Sequence, residues 1–236
     1  MKELKEAVIL VGGKGTRLQG VVTDRPKVLA AVNGRPFLAY LLDQIAAAGI
    51  MHTVLCVGYL GNQIQDVFGK MYSGMSLTYT QEKELLGTGG ALRLAWAQIA
   101  SETLIAMNGD SFCDVNLADL WAWHRERKAK TTLVLTSMTN TARYGRVSLS
   151  ADGKISGFEE KGSTRGAGLV NAGIYMLYSE MVHAIPTGRV VSLEHEVFPS
   201  WVGQWLYGYQ SRGRFLDIGT PESYAQADAL FAQDRR

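Results

Sequence analysis

Gly12, Gly13 and Gly15, then Thr16 and Arg17, then Lys27, are the residues of this 236-residue chain whose types and spacing speak most directly of chemistry. Glycines reach backbone conformations closed to other residues and bring no Cβ into the way of a ligand. Their N–H groups can therefore close around an anion. Arg17 offers a planar fork of donors suited to phosphate oxygens, and Lys27 adds a compact point charge. The spacing is not the Walker pattern, because no Gly-Lys-Ser/Thr closes the loop. Nor is it a clean dinucleotide fingerprint, since Leu18 stands where the third glycine belongs. A triphosphate site is one reading; a tight turn after a first strand is the other.

Two acidic residues extend the pattern. Asp110 ends the apolar run 103–107 through Asn108 and Gly109, and Asp217 lies in Phe215-Leu216-Asp217-Ile218-Gly219-Thr220. Hard oxygen ligands of this kind suit Mg²⁺, which is commonly held by one or two carboxylates plus substrate phosphates. Either could equally be a turn aspartate. Glu159-Glu160-Lys161 reads as a solvated hairpin end or as part of a site. His52, His124, His183 and His195 have no ligand spacing, and a structural role is expected for each.

The elements that must position these residues alternate. Residues 7–11 form a short β-branched run bounded by glycines, as a fully buried strand does. Helical spacing over 36–48 stops at Gly49. A strand at 53–57, a helix at 61–68, a strand at 77–80, a helix over 91–99 opened by Gly87 to Gly90, a strand at 103–107 and a helix at 117–128 follow. This rhythm predicts a Rossmann-like α/β fold: a mostly parallel sheet with helices on both faces and ligands at the carboxyl ends of its strands. After Lys130 the pattern becomes a hairpin, 147–149 with 155–158 around Asp152-Gly153, then strands at 169–177 and 204–209. Thr220 caps a last helix, with Pro221 at its first position. The expectation is a single domain over 1–236, in which 1–130 is mainly the nucleotide half and 131–236 is mainly a smaller, mixed lobe covering one edge of it, with the return strands.

Composition sets outer limits. Hydrophobic residues make up 47% and charged residues 19%, with a net charge of +2, which gives no reason to expect nucleic acid. The first apolar run is too short to span a membrane, and no leader is visible, so a cytoplasmic location is expected. Cys56 and Cys113 fit neither a zinc spacing nor a disulfide framework and read as buried free thiols.

Several ordered motifs resemble the sugar nucleotidyltransferases (nucleoside-diphosphate-sugar pyrophosphorylases) over residues 7–229: Gly12-Gly13-Lys14-Gly15-Thr16-Arg17-Leu18, Pro26-Lys27, Gln81-Glu82-Lys83-Glu84-Leu85-Leu86-Gly87-Thr88-Gly89-Gly90, Asn108-Gly109-Asp110, Tyr144-Gly145, Glu159-Glu160-Lys161, Asn171-Ala172-Gly173 and Asp217-Ile218-Gly219-Thr220-Pro221. Within that family the chain is most similar to the D-glycero-D-manno-heptose 1-phosphate guanylyltransferases, then to mannose-1-phosphate guanylyltransferases. Val11 stands where Ala is usual and Leu85 where Pro is usual. The resemblance implies transfer of a guanylyl group from GTP to a sugar 1-phosphate, giving a GDP-sugar for surface polysaccharide and pyrophosphate.

By position, the resemblance also implies roles. Leu10, Val11, Gly12, Gly13, Gly15, Thr16, Arg17, Gly87, Thr88, Asn108 and Gly109 would hold the nucleotide, and Lys27 would sit on its α-phosphoryl group. Asp110 and Asp217 would hold Mg²⁺. Lys161 would orient the sugar phosphate, while Gly145, Glu160, Asn171 and Gly173 would line the sugar pocket. Glu82 occupies the position that faces the nucleobase, and a carboxylate can meet the adjacent N1–H and N2 amine of guanine. GTP and a sugar 1-phosphate are the expected partners, with a homodimer allowed; no nucleic acid or membrane partner is expected. Two other classes fit the residues less well. A glycosyltransferase would commonly show Asp-x-Asp, which Asp110-Ser111-Phe112 breaks. A silent nucleotide-sugar sensor would be expected to have lost one of Lys27, Asp110, Lys161 or Asp217.

Overall fold

The computed structural model describes residues 4–13, 24–82, 84–159 and 166–232. Fourteen strands are described: β1 (Glu6–Leu10), β2 (Ala31–Val32), β3 (Arg35–Pro36), β4 (His52–Val57), β5 (Met71–Tyr72), β6 (Met75–Gln81), β7 (Thr103–Asn108), β8 (Ser111–Cys113), β9 (Thr131–Met138), β10 (Arg146–Leu149), β11 (Ile155–Glu159), β12 (Gly168–Tyr178), β13 (Leu206–Ser211) and β14 (Phe215–Asp217). The helices are α1 (Phe37–Ala47), α2 (Gly61–Phe68), α3 (Gly87–Ala95), α4 (Leu117–Glu126), α5 (Ser179–His183), α6 (Phe198–Ser200), α7 (Pro221–Tyr224) and α8 (Ala227–Phe231).

The centre of the main sheet is parallel, β7-β1-β4-β6. It is flanked by antiparallel β12, β10 and β11 on one side and β5 on the other. β9 joins β12 to β13 and continues the same sheet. Alternate residues of the central strands enter two separate cores. Ala7, Ile9, Leu55, Val57, Ile105 and Met107 pack with Phe37, Leu41, Leu120 and Phe231 from α1, α4 and α8. Val8, Val54, Cys56, Leu104 and Ala106 pack with Leu92, Val182 and Phe198 from α3, α5 and α6. Burial on both faces is why these strands read as unbroken apolar runs without alternation. Helices lie on both faces, and the mostly parallel α/β fold is as the sequence predicts. Both cysteines are buried free thiols.

Three of the differences from the sequence reading bear on the core and the site. β9 lies in a stretch left unassigned; its first six residues are buried, three of them threonines, so no polar alternation marks it. α3 begins at Gly87 and ends at Ala95, followed by a 3-10 turn, Trp96–Gln98. Its glycines belong to the helix because of crowding: a Cβ on Gly90 would stand 2.7 Å from Leu86 Cβ. Asp217 is the last residue of β14, a strand that the reading of the sequence leaves out, and β14 pairs with β8. α7 starts as expected, with Thr220 and Ser223 forming a reciprocal cap and Pro221 in the first turn, but it stops at Tyr224 and a separate helix, α8, follows it.

His124 on α4 has the structural role expected of it. It is fully buried, bonds Thr132 Oγ1 through Nδ1 at 2.7 Å, and stacks between Trp121 and Tyr178. Burial lowers its pKa from 6.5 to about 4. The folded state therefore binds this proton later than the unfolded chain does. Its stability contribution is whole above pH 6.5 and is lost as pH falls toward 4. Urea unfolding at pH 7.5 and 5.0 should show the wild type losing about 2 kcal/mol more than His124→Asn over that interval. Equal losses would remove His124 from the account.

Candidate active site

The site lies at the carboxyl ends of the parallel strands, where their backbones approach closely. Val11 N–H donates to Cys56 O at 3.0 Å, and Gly109 N–H donates to Leu10 O at 2.9 Å. Gly109 leaves no room for a larger residue: a Cβ would stand 2.5 Å from Val11 Cγ1. Two cavities open there. The smaller, about 310 Å³, is lined by Leu10, Val11, Gly12, Gly13, Lys27, Glu82, Gly87, Thr88, Asn108 and Asp110, among others. The larger, about 610 Å³, is lined by Asp110, Gly145, Asn171, Gly173 and Asp217, with Tyr144, Phe158, His195 and Val202. Asn108, Asp110 and Glu194 line both.

The residues expected at a nucleotide thus gather around one cavity, and those expected at a sugar phosphate around its neighbour. Gly109 lines neither and serves the backbone contact instead. Gly15, Thr16, Arg17, Glu160 and Lys161 lie outside the described residues.

Lys27 comes from a 3-10 turn, Lys27–Leu29, whose Val28 and Leu29 are buried and anchor it. Its Nζ meets Asp110 Oδ2 at 2.5 Å, and the lysine side chain is only 12% exposed. Asp217 is brought beside Asp110 by pairing with Ser111 across β14 and β8, and Ile218 N–H donates to Asp110 O at 2.9 Å. Burial, then the charge of Asp110, raises the pKa of Asp217 above its ordinary value. The Gly219 N–H, Lys27 and Arg143 act in the opposite direction. Asp217, whose proton affinity the neighbouring Asp110 raises, forms with it a pair of oxygen donors that a hard divalent cation fits. Among the described residues no group of three or more His, Cys, Asp or Glu stands together as a metal site. A cation here would complete its shell from water and phosphate, as Mg²⁺ commonly does.

Glu82 is half-buried in the wall of the smaller cavity, not on a solvated surface. Oε2 accepts from Leu86 N–H at 2.8 Å, and burial raises its pKa. The loop behind it is fixed by Val191, whose N–H donates to Leu86 O at 2.8 Å and whose O accepts from Gly89 N–H at 2.9 Å. At the larger cavity, Asn171 Oδ1 accepts from Gly173 N–H at 2.9 Å. Gly173 has φ +79°, and a Cβ there would stand 2.4 Å from Ser111 Oγ.

Sequence reasoning gave no role to Ser111, Tyr144, Tyr175 or Glu194 and no cavity position to His195. For Glu194 the signal was weak: Glu194-His195-Glu196 reads as a charge run, yet Glu196 pairs outward with Arg189 while Glu194 turns in.

Gly173→Ala should destabilise the protein by about 1–3 kcal/mol, from the left-handed φ and the clash with Ser111. Gly157→Ala, where a Cβ meets nothing within 4 Å, should stay within about 0.5 kcal/mol of the wild type in the same urea titration. Two equal effects would refute the crowding at Gly173.

Several known proteins are similar to this chain. The chain is 35% identical to the D-glycero-alpha-D-manno-heptose 1-phosphate guanylyltransferase of Aneurinibacillus thermoaerophilus over 223 residues, covering 94% of this chain and 96% of that protein. It is 35% identical to the mannose-1-phosphate guanylyltransferase of Mycobacterium tuberculosis over 228 residues, 95% of this chain but 64% of that longer protein. The crystal structure of HddC from Yersinia pseudotuberculosis complexed with GMP-PN superposes with a TM-score of 0.85 at 29% identity, over 97% of this chain and 100% of that one. With the nucleotidyl transferase family matching residues 6–234, nearly its whole length, the chain belongs to that family.

Proposed function

We propose that this protein transfers a guanylyl group from GTP to a sugar 1-phosphate, D-glycero-D-manno-heptose 1-phosphate by preference. The observation that carries the reading is the Lys27–Asp110 contact, with Asp217 beside it, at the seam of the two cavities. A phosphate oxygen of the sugar 1-phosphate attacks the α-phosphorus of GTP; the bond from that phosphorus to its bridging oxygen breaks, and pyrophosphate leaves. Attack at phosphorus preserves the anomeric configuration. The nucleophile is already anionic, so positioning and electrostatics carry the catalysis.

The smaller cavity takes the nucleotide and the larger one the sugar phosphate. Asp110 and Asp217 hold a divalent metal, Mg²⁺, which when bound neutralises phosphate charge. Lys27 does the same at the α-phosphoryl group. Arg17 belongs to the phosphates and Lys161 to the sugar phosphate. The chain acts as one nucleotidyltransferase domain, with 1–130 mainly on the nucleotide side and 131–236 mainly on the sugar side. Its GDP-sugar supplies surface polysaccharide synthesis in the cytoplasm. Among the described residues no helix is long and apolar enough to cross a membrane. A homodimer is compatible with this reading. Mannose 1-phosphate is the second reading, favoured by the equal identity to the mycobacterial relative.

Pyrophosphate release with Mg²⁺, across GTP, ATP, UTP, CTP and dTTP and both sugar phosphates, tests the proposal. GTP with the heptose 1-phosphate should give the highest kcat/KM, and excess chelator should abolish release. A different preferred nucleotide, or release insensitive to chelator, would contradict it.

Glu82 reads the base. ITP lacks the N2 amine of GTP, so the wild type should prefer GTP by one charged hydrogen bond, about 1.5–3 kcal/mol in kcat/KM. Glu82→Gln should narrow that gap. Equal use of GTP and ITP by the wild type would falsify the role.

A further inference from the structure

Glu194 belongs to no expected motif, yet its side chain lines both cavities. It sits in a π-helical turn, Leu193–Val197, that Ser192 caps by accepting the His195 N–H at 3.1 Å. Oε2 accepts from Thr88 Oγ1 at 2.7 Å and from Ser192 Oγ at 3.2 Å. Oε1 accepts from Tyr175 OH at 3.2 Å and from Asn108 Nδ2 at 3.3 Å. An ionised carboxylate has about four lone-pair positions. All are used by protein donors, so this third acid at the seam has none left for a metal ion or a substrate hydroxyl.

The donors it holds are themselves fully engaged. Tyr175 is wholly buried; its hydroxyl gives its one hydrogen to Glu194 and accepts from Asn108 Nδ2 at 3.2 Å and Asn171 Nδ2 at 3.0 Å. With both amide nitrogens turned toward Tyr175, Asn171 Oδ1 faces back to take the Gly173 N–H. Asn108 Oδ1 is left buried with no partner among the described residues. An acceptor-only group at Oε1 explains that orientation: the reversed amide would set oxygen against carboxylate. On the other side, the Thr88 hydroxyl accepts the Leu193 N–H at 2.8 Å and spends its hydrogen on Glu194.

We infer that Glu194 is a positioning residue for both substrates. Its carboxylate fixes Thr88 at the smaller cavity, the Asn108 amide between the two and, through Tyr175, the 171–173 turn at the larger one. One anchor thereby sets the spacing between the two sites. The inference rests on the guanylyltransferase reading above.

The test is steady-state pyrophosphate release from GTP and D-glycero-D-manno-heptose 1-phosphate, with melting temperatures, for wild type, Glu194→Ala, Glu194→Gln and Tyr175→Phe. Glu194→Ala frees both ends and should raise both KM values about tenfold, with kcat within about threefold, the pattern of lost uniform binding. Tyr175→Phe removes only the hydroxyl; it should raise KM for the sugar phosphate about fivefold and leave KM for GTP within about twofold. Glu194→Gln can turn its oxygen to Asn108 and Tyr175, because the Thr88 and Ser192 hydroxyls can rotate to accept its amide. It should therefore restore KM for the sugar phosphate to within about threefold of the wild type. Should Glu194→Ala fail to fold, the other two variants still decide. Unchanged KM values, an effect confined to kcat, equal effects of Tyr175→Phe on both substrates, or no rescue by Gln would each overturn the inference. An inactive wild type overturns the reading and the inference together; an active wild type with unaffected variants overturns the inference alone.

Discussion

Asp110, in the turn between β7 and β8, and Asp217, the last residue of β14, are distant in sequence, yet they lie close enough for the charge of Asp110 to be felt by Asp217. Like charges at a partly buried site repel, and the geometry persists because the backbone imposes it. β8 pairs with β14, Asp217 stands opposite Ser111, and Ile218 N–H is bonded to Asp110 O. Lys27 balances the pair through Asp110, its stem shielded and its ammonium at 2.5 Å from the carboxylate. Removing one partner of such a contact leaves an uncompensated charge, which is costly when shielded from water. The rest of the site depends on this arrangement. It sets two carboxylates at the seam of two cavities, with the Lys27 ammonium as a built-in cation.

The walls around that point are made of close approaches. Gly109 lets β7 turn against Leu10 and Val11, and Gly173 lets β12 turn against Ser111 and Asn108. β12 also shifts register with β9 between Asn171 and Tyr175, which frees the 171–173 turn from the ladder. That irregularity aims the turn into the larger cavity, while Tyr175, two residues on, remains in the core. Packing and site geometry are therefore the same constraint seen from two sides.

Much of this was legible in the sequence because its cause is local. The strand 7–11, the glycines after it, Asp110 after an apolar run and the Thr220 cap are each decided by neighbours within a few residues. The pairing of β8 with β14 was not legible, since Ser111 and Asp217 are distant along the chain. β9 was missed because burial of both faces erases the alternation that marks a half-exposed strand. Glu194 was hidden by Glu196, two residues away and paired outward with Arg189. No composition rule tells an inward glutamate from its outward neighbour; only the π-helical turn does.

The central claim is that Lys27 acts on charge developing at the α-phosphorus, not merely as a structural partner of Asp110. It is tested most directly by the kinetics of Lys27→Ala with GTP and D-glycero-D-manno-heptose 1-phosphate. Loss of a transition-state contact should lower kcat by about 10²–10³ and shift KM for GTP by a smaller factor. A Lys27→Ala protein that retains the wild-type kcat would contradict the account.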